Sequence, residues 1–434
     1  MIRRQKLAEV IVSTLFLFLF TVLSAAAQNY SQLFQFPADG VSGLGSDADL
    51  VSDSSGNLYG TTYYGGDMKA CLGGCGVAFE LSQSGGIWTE TVLHTFSKLS
   101  DGQYPTHGLV IDKAGNLYGV AFNGGNTTAQ ECLSIGCGLV FELSPQGSGW
   151  TETILHKFTG YDPNTGKNDG ADPFGGLTID DNGILYGTTL GGGAPDYGTV
   201  FALEQTKNGW EERTLYSFKG GTEGSGPLGG LTLDAAGNLY GTTAGGGPCC
   251  GLVYRLTRNG SHFTGNLLYA FSSPEKGREP LGRLTFDSKG NIYGATYYGG
   301  DLSACSNGCG TIFQLKPNGN KWTESVIHTF EDADGQHPEA GVTAVNDTLY
   351  GEAHFGGIFS CGMGFNCGVL YDLTESNGTW NQAILHDFQG APDGEFGVAA
   401  LLYNNGKLYG TTHNGGIDSN TCTTGCGTVF QFVP

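Results

Sequence analysis

The chain has 434 residues, of which 75 are glycine, with only 14% charged residues and a formal net charge of −21. That acidity excludes nucleic acid and anionic membrane surfaces as natural partners. The glycines follow no triplet period, and many of the 25 Phe and 20 Tyr recur at fixed phases, which excludes a collagen helix and low-complexity disorder.

The first predicted element is a secretory leader. Arg3, Arg4 and Lys6 form a basic start, Val10 to Leu23 is mostly apolar, and Ala25-Ala26-Ala27 offers the small residues of a cleavage site. Cleavage is expected after Ala27. An uncleaved anchor is the alternative, but the apolar run is short for a span. No other long apolar stretch follows, and the sequence reaches Pro434 without an anchor signal. Residues 28–434 are expected to form one exported, soluble, monomeric domain, in the periplasm or the medium.

The dominant signal after the leader is a repeat. Leu-Tyr-Gly, once with Ile for Leu, places tyrosines at 59, 118, 186, 240, 293, 350 and 409, spaced by 53 to 68 residues. Short apolar runs between Gly-rich turns at that period predict an all-β, seven-bladed β-propeller. In the unit from Gly108 to Phe158, strands are predicted at 108–112, 117–121, 138–143 and 150–158, giving a four-stranded antiparallel blade. The third strand occurs seven times, but the fourth follows only the first six. Tyr30 to Phe36 resembles the missing copy, so the N-terminal strand should complete the last blade and close the ring. Trp88, Trp150, Trp210, Trp322 and Trp380 share one phase, occupied by Phe263 and Tyr30 in the other blades. A ring at that phase in every unit is a blade-to-blade packing element.

The order Gly-Leu-x-x-Asp, Gly-Asn-Leu-Tyr-Gly-Thr-Thr, Gly-Gly, Gly-Thr-Val-Phe-x-Leu and Trp-Thr-Glu-x-x-Leu-His-x-Phe resembles the GloVer tandem repeat of bacterial exported proteins described as choice-of-anchor. Asp234 to Thr243 and Thr428 to Phe430 carry it clearly. The resemblance covers essentially the whole chain after the leader. It implies export, tandem repeats and often a C-terminal anchor, from which this sequence departs. It implies no activity. The Asp-x-x-Gly-Asn-Leu-Tyr turn is also similar to NHL-type propeller repeats, which bears on fold alone.

The strand order sends short, uniform turns to one face. The long second-to-third loops and the blade-to-blade crossings go to the other, where function is expected. The cysteines sit there as Cys71/Cys75, Cys132/Cys137, Cys249/Cys250, Cys305/Cys309, Cys361/Cys367 and Cys422/Cys426. An even count in an exported chain reads as disulfides, each stapling its own loop. Zinc is disfavoured because no blade supplies a second pair. For the adjacent Cys249 and Cys250, cross-loop pairing is an alternative.

His94, His156, His328 and His386, with Tyr216 and Tyr269 at the same phase, lie at the rim and read as a repeated hydrogen-bonding position. No hydrolase motif is present. Asp-Gly recurs at Asp101, Asp169, Asp334 and Asp393, with Asp39-Gly40 and Glu223-Gly224 related. These are turns first. As a carboxylate ring they would take sugars, Ca2+ or a cationic partner, and an acid pair would serve glycoside hydrolysis. Asp332-x-Asp334-Gly335 matches half of a calcium loop and lacks the other ligands, so no cofactor is assigned. Rings begin the long loops at Tyr63, Tyr64, Phe122, Tyr297, Tyr298, His354, Phe355 and His413, with Leu190 and Ala244 in two blades. They are either packing under the loops or stacking platforms for sugars. The leading expectation is a binding scaffold for glycan or protein on the long-loop face, with no catalytic residue assigned. The alternatives are a carbohydrate-active hydrolase or lyase, and a purely structural surface or matrix protein. An even ring of like residues at the channel mouth favours binding. A lone cluster of unlike polar residues there favours an enzyme.

Overall fold

The computed structural model describes residues 29–39, 41–127, 132, 134–162, 167–362, 364–417, 422 and 425–434. The predicted leader, residues 1–27, and Gly40 lie outside them. The described chain forms seven radial antiparallel sheets. The second blade runs Gln103–Ile111, Leu117–Asn123, Leu139–Gln146 and Gly149–Lys157 in that spatial order. Its innermost strand starts earlier than the sequence pattern indicates. Residues 103–106 already pair with the second strand, and an irregularity at Thr106/Val110 separates the two halves. His107 and Gly108 sit there at φ 51° and 80°, so the strand is kinked rather than begun at 108.

The seventh blade is closed as the sequence indicates. Tyr30–Gln35 pairs with Thr428–Phe432, with Tyr30 opposite Phe432 and Gln35 opposite Thr428. The edge of Thr428–Phe432 is thus covered where the chain ends meet. Three short 3-10 turns, Gly221–Glu223, Pro274–Lys276 and Asp332–Asp334, lie in the crossings. Among the described residues no helix is long and apolar enough to cross a membrane.

The repeated phrase has a local cause. Asp234 Oδ1 accepts the amides of Ala236 and Asn238, both at 2.9 Å, and its Oδ2 accepts Asn238 Nδ2 at 2.7 Å and the Tyr240 hydroxyl at 3.1 Å. The motif tyrosine therefore ties its strand to the preceding turn, and Asp53, Asp112 and Asp287 do the same. The glycine after it makes room for the third strand. A Cβ on Gly119 would lie 2.5 Å from the Phe141 ring.

Blades meet through rings. The phenylalanine ending each fourth strand packs edge-on against the third-strand aromatic of the next blade, as in Phe96–Phe141 at 5.1 Å and Phe330–Tyr371 at 5.2 Å between centroids. Trp150 meets Tyr59 of the preceding blade at 6.1 Å, and Trp210 meets Tyr118 at 5.9 Å. Each such pair contributes about 0.5–1.5 kcal/mol beyond area burial, repeated around the ring.

All six cysteine pairs are bonded within their own loops, Cys249 to Cys250 included. That pairing settles the cross-loop alternative and fits an oxidising compartment.

Candidate functional site

The long-loop face is organised by a ring of left-handed residues, one at each crossing. Gly45, Tyr104, Asp172, Gly226, Glu279, His337 and Phe396 have φ between 54° and 63°. Each donates its amide to a carbonyl in the long loop of the preceding blade. Six of those carbonyls belong to the second cysteine of a disulfide: Cys426, Cys75, Cys137, Cys250, Cys309 and Cys367. The cysteine-free third blade supplies Tyr197 instead, to Gly226 at 3.1 Å. Five of the seven side chains in this ring are not glycine, although each non-glycine pays backbone strain for the conformation. Proline follows at 105, 173, 227, 280 and 338 and fixes the exit.

Two residues past this ring the chain reaches the mouth of the central channel. There Asp47, Thr106, Phe174, Glu339 and Val398 line a cavity of about 250 Å3. Tyr63, His354 and His413 complete it from the starts of the long loops, and His107 also lines it. The polar groups come in unlike pairs. His413 Nδ1 meets Asp47 Oδ1 at 2.6 Å, and His354 Nδ1 lies 3.4 Å from Glu339 Oε2. The four side chains come from the first, sixth and seventh blades. The same positions in the fourth and fifth blades are Leu228 and Leu281, so the polar cluster occupies one side of the mouth.

Burial by itself would lower His413. The Asp47 charge and hydrogen bond, with Glu339 and Glu395 behind them, outweigh burial and hold the imidazole above its ordinary value. His337 goes the other way, down to about 4, through burial and then the neighbouring His354. Burial, with Tyr64 and Tyr104 adjacent, pushes the Tyr63 hydroxyl up to about 12.

Of the ring-bearing positions expected to form the site, the structure brings Tyr63, His354 and His413 to the cavity. Tyr63 stacks on Tyr104 at 4.9 Å and takes Tyr64 edge-on at 4.8 Å. Tyr297 stacks on His337 at 4.5 Å, and Tyr298 lies under the Arg278 guanidinium at 5.1 Å. Phe355 is stacked between His354 at 4.0 Å and Phe365 at 4.5 Å. Phe122 packs edge-on against Phe174 at 6.1 Å, one layer behind the wall.

The four aspartates of the Asp-Gly turns are placed elsewhere. Asp101 and Asp169 cap their own crossings, and Asp169, Asp334 and Asp393 meet His156, His328 and His386 at 3.2, 3.3 and 2.8 Å. All are at the rim, outside the mouth. Asp334 and Asp332 are engaged by the Glu331 amide and Gln336 Nε2, both at 2.6 Å, rather than arranged as a calcium loop. Asp47, Glu339, His107 and Phe174 were not legible as site residues. Their signal is positional: each lies two or three residues after the left-handed position, a register visible only once the crossings are aligned.

A family model described as the Gloeobacter/Verrucomicrobia repeat matches residues 127–365 and 302–434. The chain belongs to that repeat family. Among solved structures, a protein from Lactobacillus plantarum aligns over 87% of this chain and 99% of its own at 14% identity, with a TM-score of 0.50. An α-L-arabinanase of Penicillium chrysogenum complexed with arabinobiose aligns over 93% and 98% at 13% identity, with a TM-score of 0.47. The PQQ-bound aldose sugar dehydrogenase of Streptomyces coelicolor aligns over 93% and 97% at 12% identity, with a TM-score of 0.44. No curated protein matches the sequence. The family and the first of these structures agree with the propeller seen here. At such identities none of them carries a chemistry to this member of the family.

Proposed function

We propose that this member of the repeat family is an exported saccharide-binding propeller whose ligand enters the channel mouth on the long-loop face. The carrying observation is the convergence of the His413–Asp47 and His354–Glu339 pairs on a cavity walled by Tyr63 and Phe174. Carboxylates and imidazoles accept and donate to hydroxyl groups, and the ring faces take the apolar side of a sugar. A cavity of about 250 Å3 suits a sugar-ring-sized group rather than a large ligand. Export is supported by six disulfides and by the basic-apolar-small pattern of residues 1–27. The rings at Tyr64, Tyr297, Tyr298 and Phe355 would extend the contact surface around the mouth.

A second reading, a carbohydrate-active hydrolase or lyase, is favoured by one specific feature. The mouth holds a one-sided cluster of unlike groups, with Asp47 and Glu339 as its acid pair, rather than an even ring.

A glycan-array screen with mass analysis of the bound sugars separates these readings. Saturable binding lost in Asp47→Asn and Tyr63→Ala, with sugars intact, supports the binding site. Shortened or unsaturated sugars make the protein an enzyme. No binding by the folded protein to any glycan overturns both and leaves a structural or protein-binding propeller.

A further inference from the structure

The rim carries a second constellation, at the seams between blades. Where the fourth strand of one blade ends, its histidine faces the crossing to the next blade. A residue of the neighbouring fourth strand, two positions past the tryptophan phase, reaches the same spot. At the first seam these are His94, Asp101 and Glu152; at the second, His156, Asp169 and Glu212. In both groups one ligand-type atom from each residue lies within 4.8 Å of the others.

The first group is unsatisfied as it stands. His94 Nε2 and Glu152 Oε1 are 3.5 Å apart, both screened from solvent, and neither makes a hydrogen bond. Asp101 is anchored beside them by the Lys98 amide at 2.8 Å on Oδ1. Two carboxyl groups and an imidazole converging under cover are a donor set short of positive charge.

Three other seams show what can satisfy that position. At the fourth seam the equivalent of Glu152 is Glu324, whose side chain is 1% exposed, and the aspartate is replaced by Lys276. Its ammonium sits 2.6 Å from Glu324 Oε2, so this seam is built to hold a cation there. At the fifth seam the third group is Gln382, an amide that donates to the Asp334 carbonyl at 2.9 Å. At the sixth it is Tyr30, which pairs with Phe432 as Glu152 pairs with Leu143 and so stands two positions past the tryptophan phase that the sequence pattern assigned it. It donates to Asp393 at 3.1 Å and stacks on His386 at 3.6 Å. The fifth and sixth seams, which lack the second carboxylate, thus close with neutral donors, and the fourth, which keeps it but lacks the histidine, closes with a lysine.

We propose that the first and second seams each bind a divalent first-row transition ion, through His94, Asp101 and Glu152 and through His156, Asp169 and Glu212. One imidazole with two carboxylates is a mixed donor set suited to Zn2+ or Mn2+ and poor for Ca2+. The ion neutralises two carboxylates and joins the fourth strands of neighbouring blades through side chains of both. The sites are at the rim, independent of the channel mouth and of any saccharide bound there.

The test is equilibrium dialysis of the tag-free, metal-stripped protein against Zn2+, read by elemental mass spectrometry, with Co2+ absorption as a probe of the donor set. Two ions per chain are expected. Glu152→Gln and His156→Ala should each remove one ion or weaken it at least tenfold, and the two together should remove both. His328→Ala, at a seam without the second carboxylate, should keep both ions. Glu152→Gln preserves side-chain volume, and thermal melting of each variant without metal verifies that it folds. Fewer than one Zn2+ bound by the wild-type protein overturns the proposal. So does full stoichiometry in the folded Glu152→Gln/His156→Ala double variant.

Discussion

The amide of His337 donates to the carbonyl of Cys309 at 2.7 Å, so the disulfide loop of the fifth blade holds the left-handed residue that opens the sixth. His337 then stacks on Tyr297, which begins that same disulfide loop. Loop staple, crossing and aromatic wall form one unit; the staple and its bond to the crossing recur at five other seams, while the cysteine-free third blade supplies Tyr197.

Replacing Cys305 and Cys309 together by serine should therefore affect binding more than stability. A closure this short is worth about 2 kcal/mol by loop entropy. The expected result is a modest drop in the urea midpoint and a larger loss of glycan affinity. Equal binding with a lower midpoint would mean that the staple serves stability alone.

The His337 imidazole is held at about 4 by burial and by His354. The unfolded chain, with an ordinary histidine near 6.5, takes up the proton first as pH falls. Stability from this site is thus complete above about pH 6.5 and is lost as pH drops from there to about 4. Urea midpoints across that window should fall in the wild type and fall less steeply in His337→Phe.

His413 has the opposite sign. Its imidazole is held up by Asp47 against the effect of burial, so its contribution is present at low pH and lost as pH rises through the raised value. Asp47→Asn should move the His413 titration down, as followed by NMR. An unmoved titration would show that the 2.6 Å pair is not maintained in solution.

Removing residues 29–36 should open the ring. Thr428–Phe432 would lose its partner strand, Phe79 would lose the edge contact of Phe36 at 5.2 Å, and a sheet edge would face solvent. Size-exclusion chromatography should show association, with a lower melting temperature than the intact chain. A monomer of unchanged stability would mean that the last blade stands without its fourth strand.

The repeat and the blade count were legible in the sequence because each rests on local chemistry, and the ring closure because the N-terminal strand matches the fourth strand that the last blade lacks. Asp234, Asn238 and Tyr240 form their bonds within seven consecutive residues, and Gly119 must stay small for Phe141 one strand away. The loop cysteines were legible for the same reason, each bonding a partner at most six residues off. The roles of the repeated acids were not. Asp101 and Asp169 read as candidates for a ring around the site, yet their turns aim them at the rim histidines, while Asp47 and Glu339 carry no motif. His413 meets Asp47 across 366 residues, over the seam where the chain ends join. Pattern within a blade is set by short-range bonding and is written in the sequence. Which side chains share the channel mouth is set by how seven blades close on one another, and only the closed ring decides that.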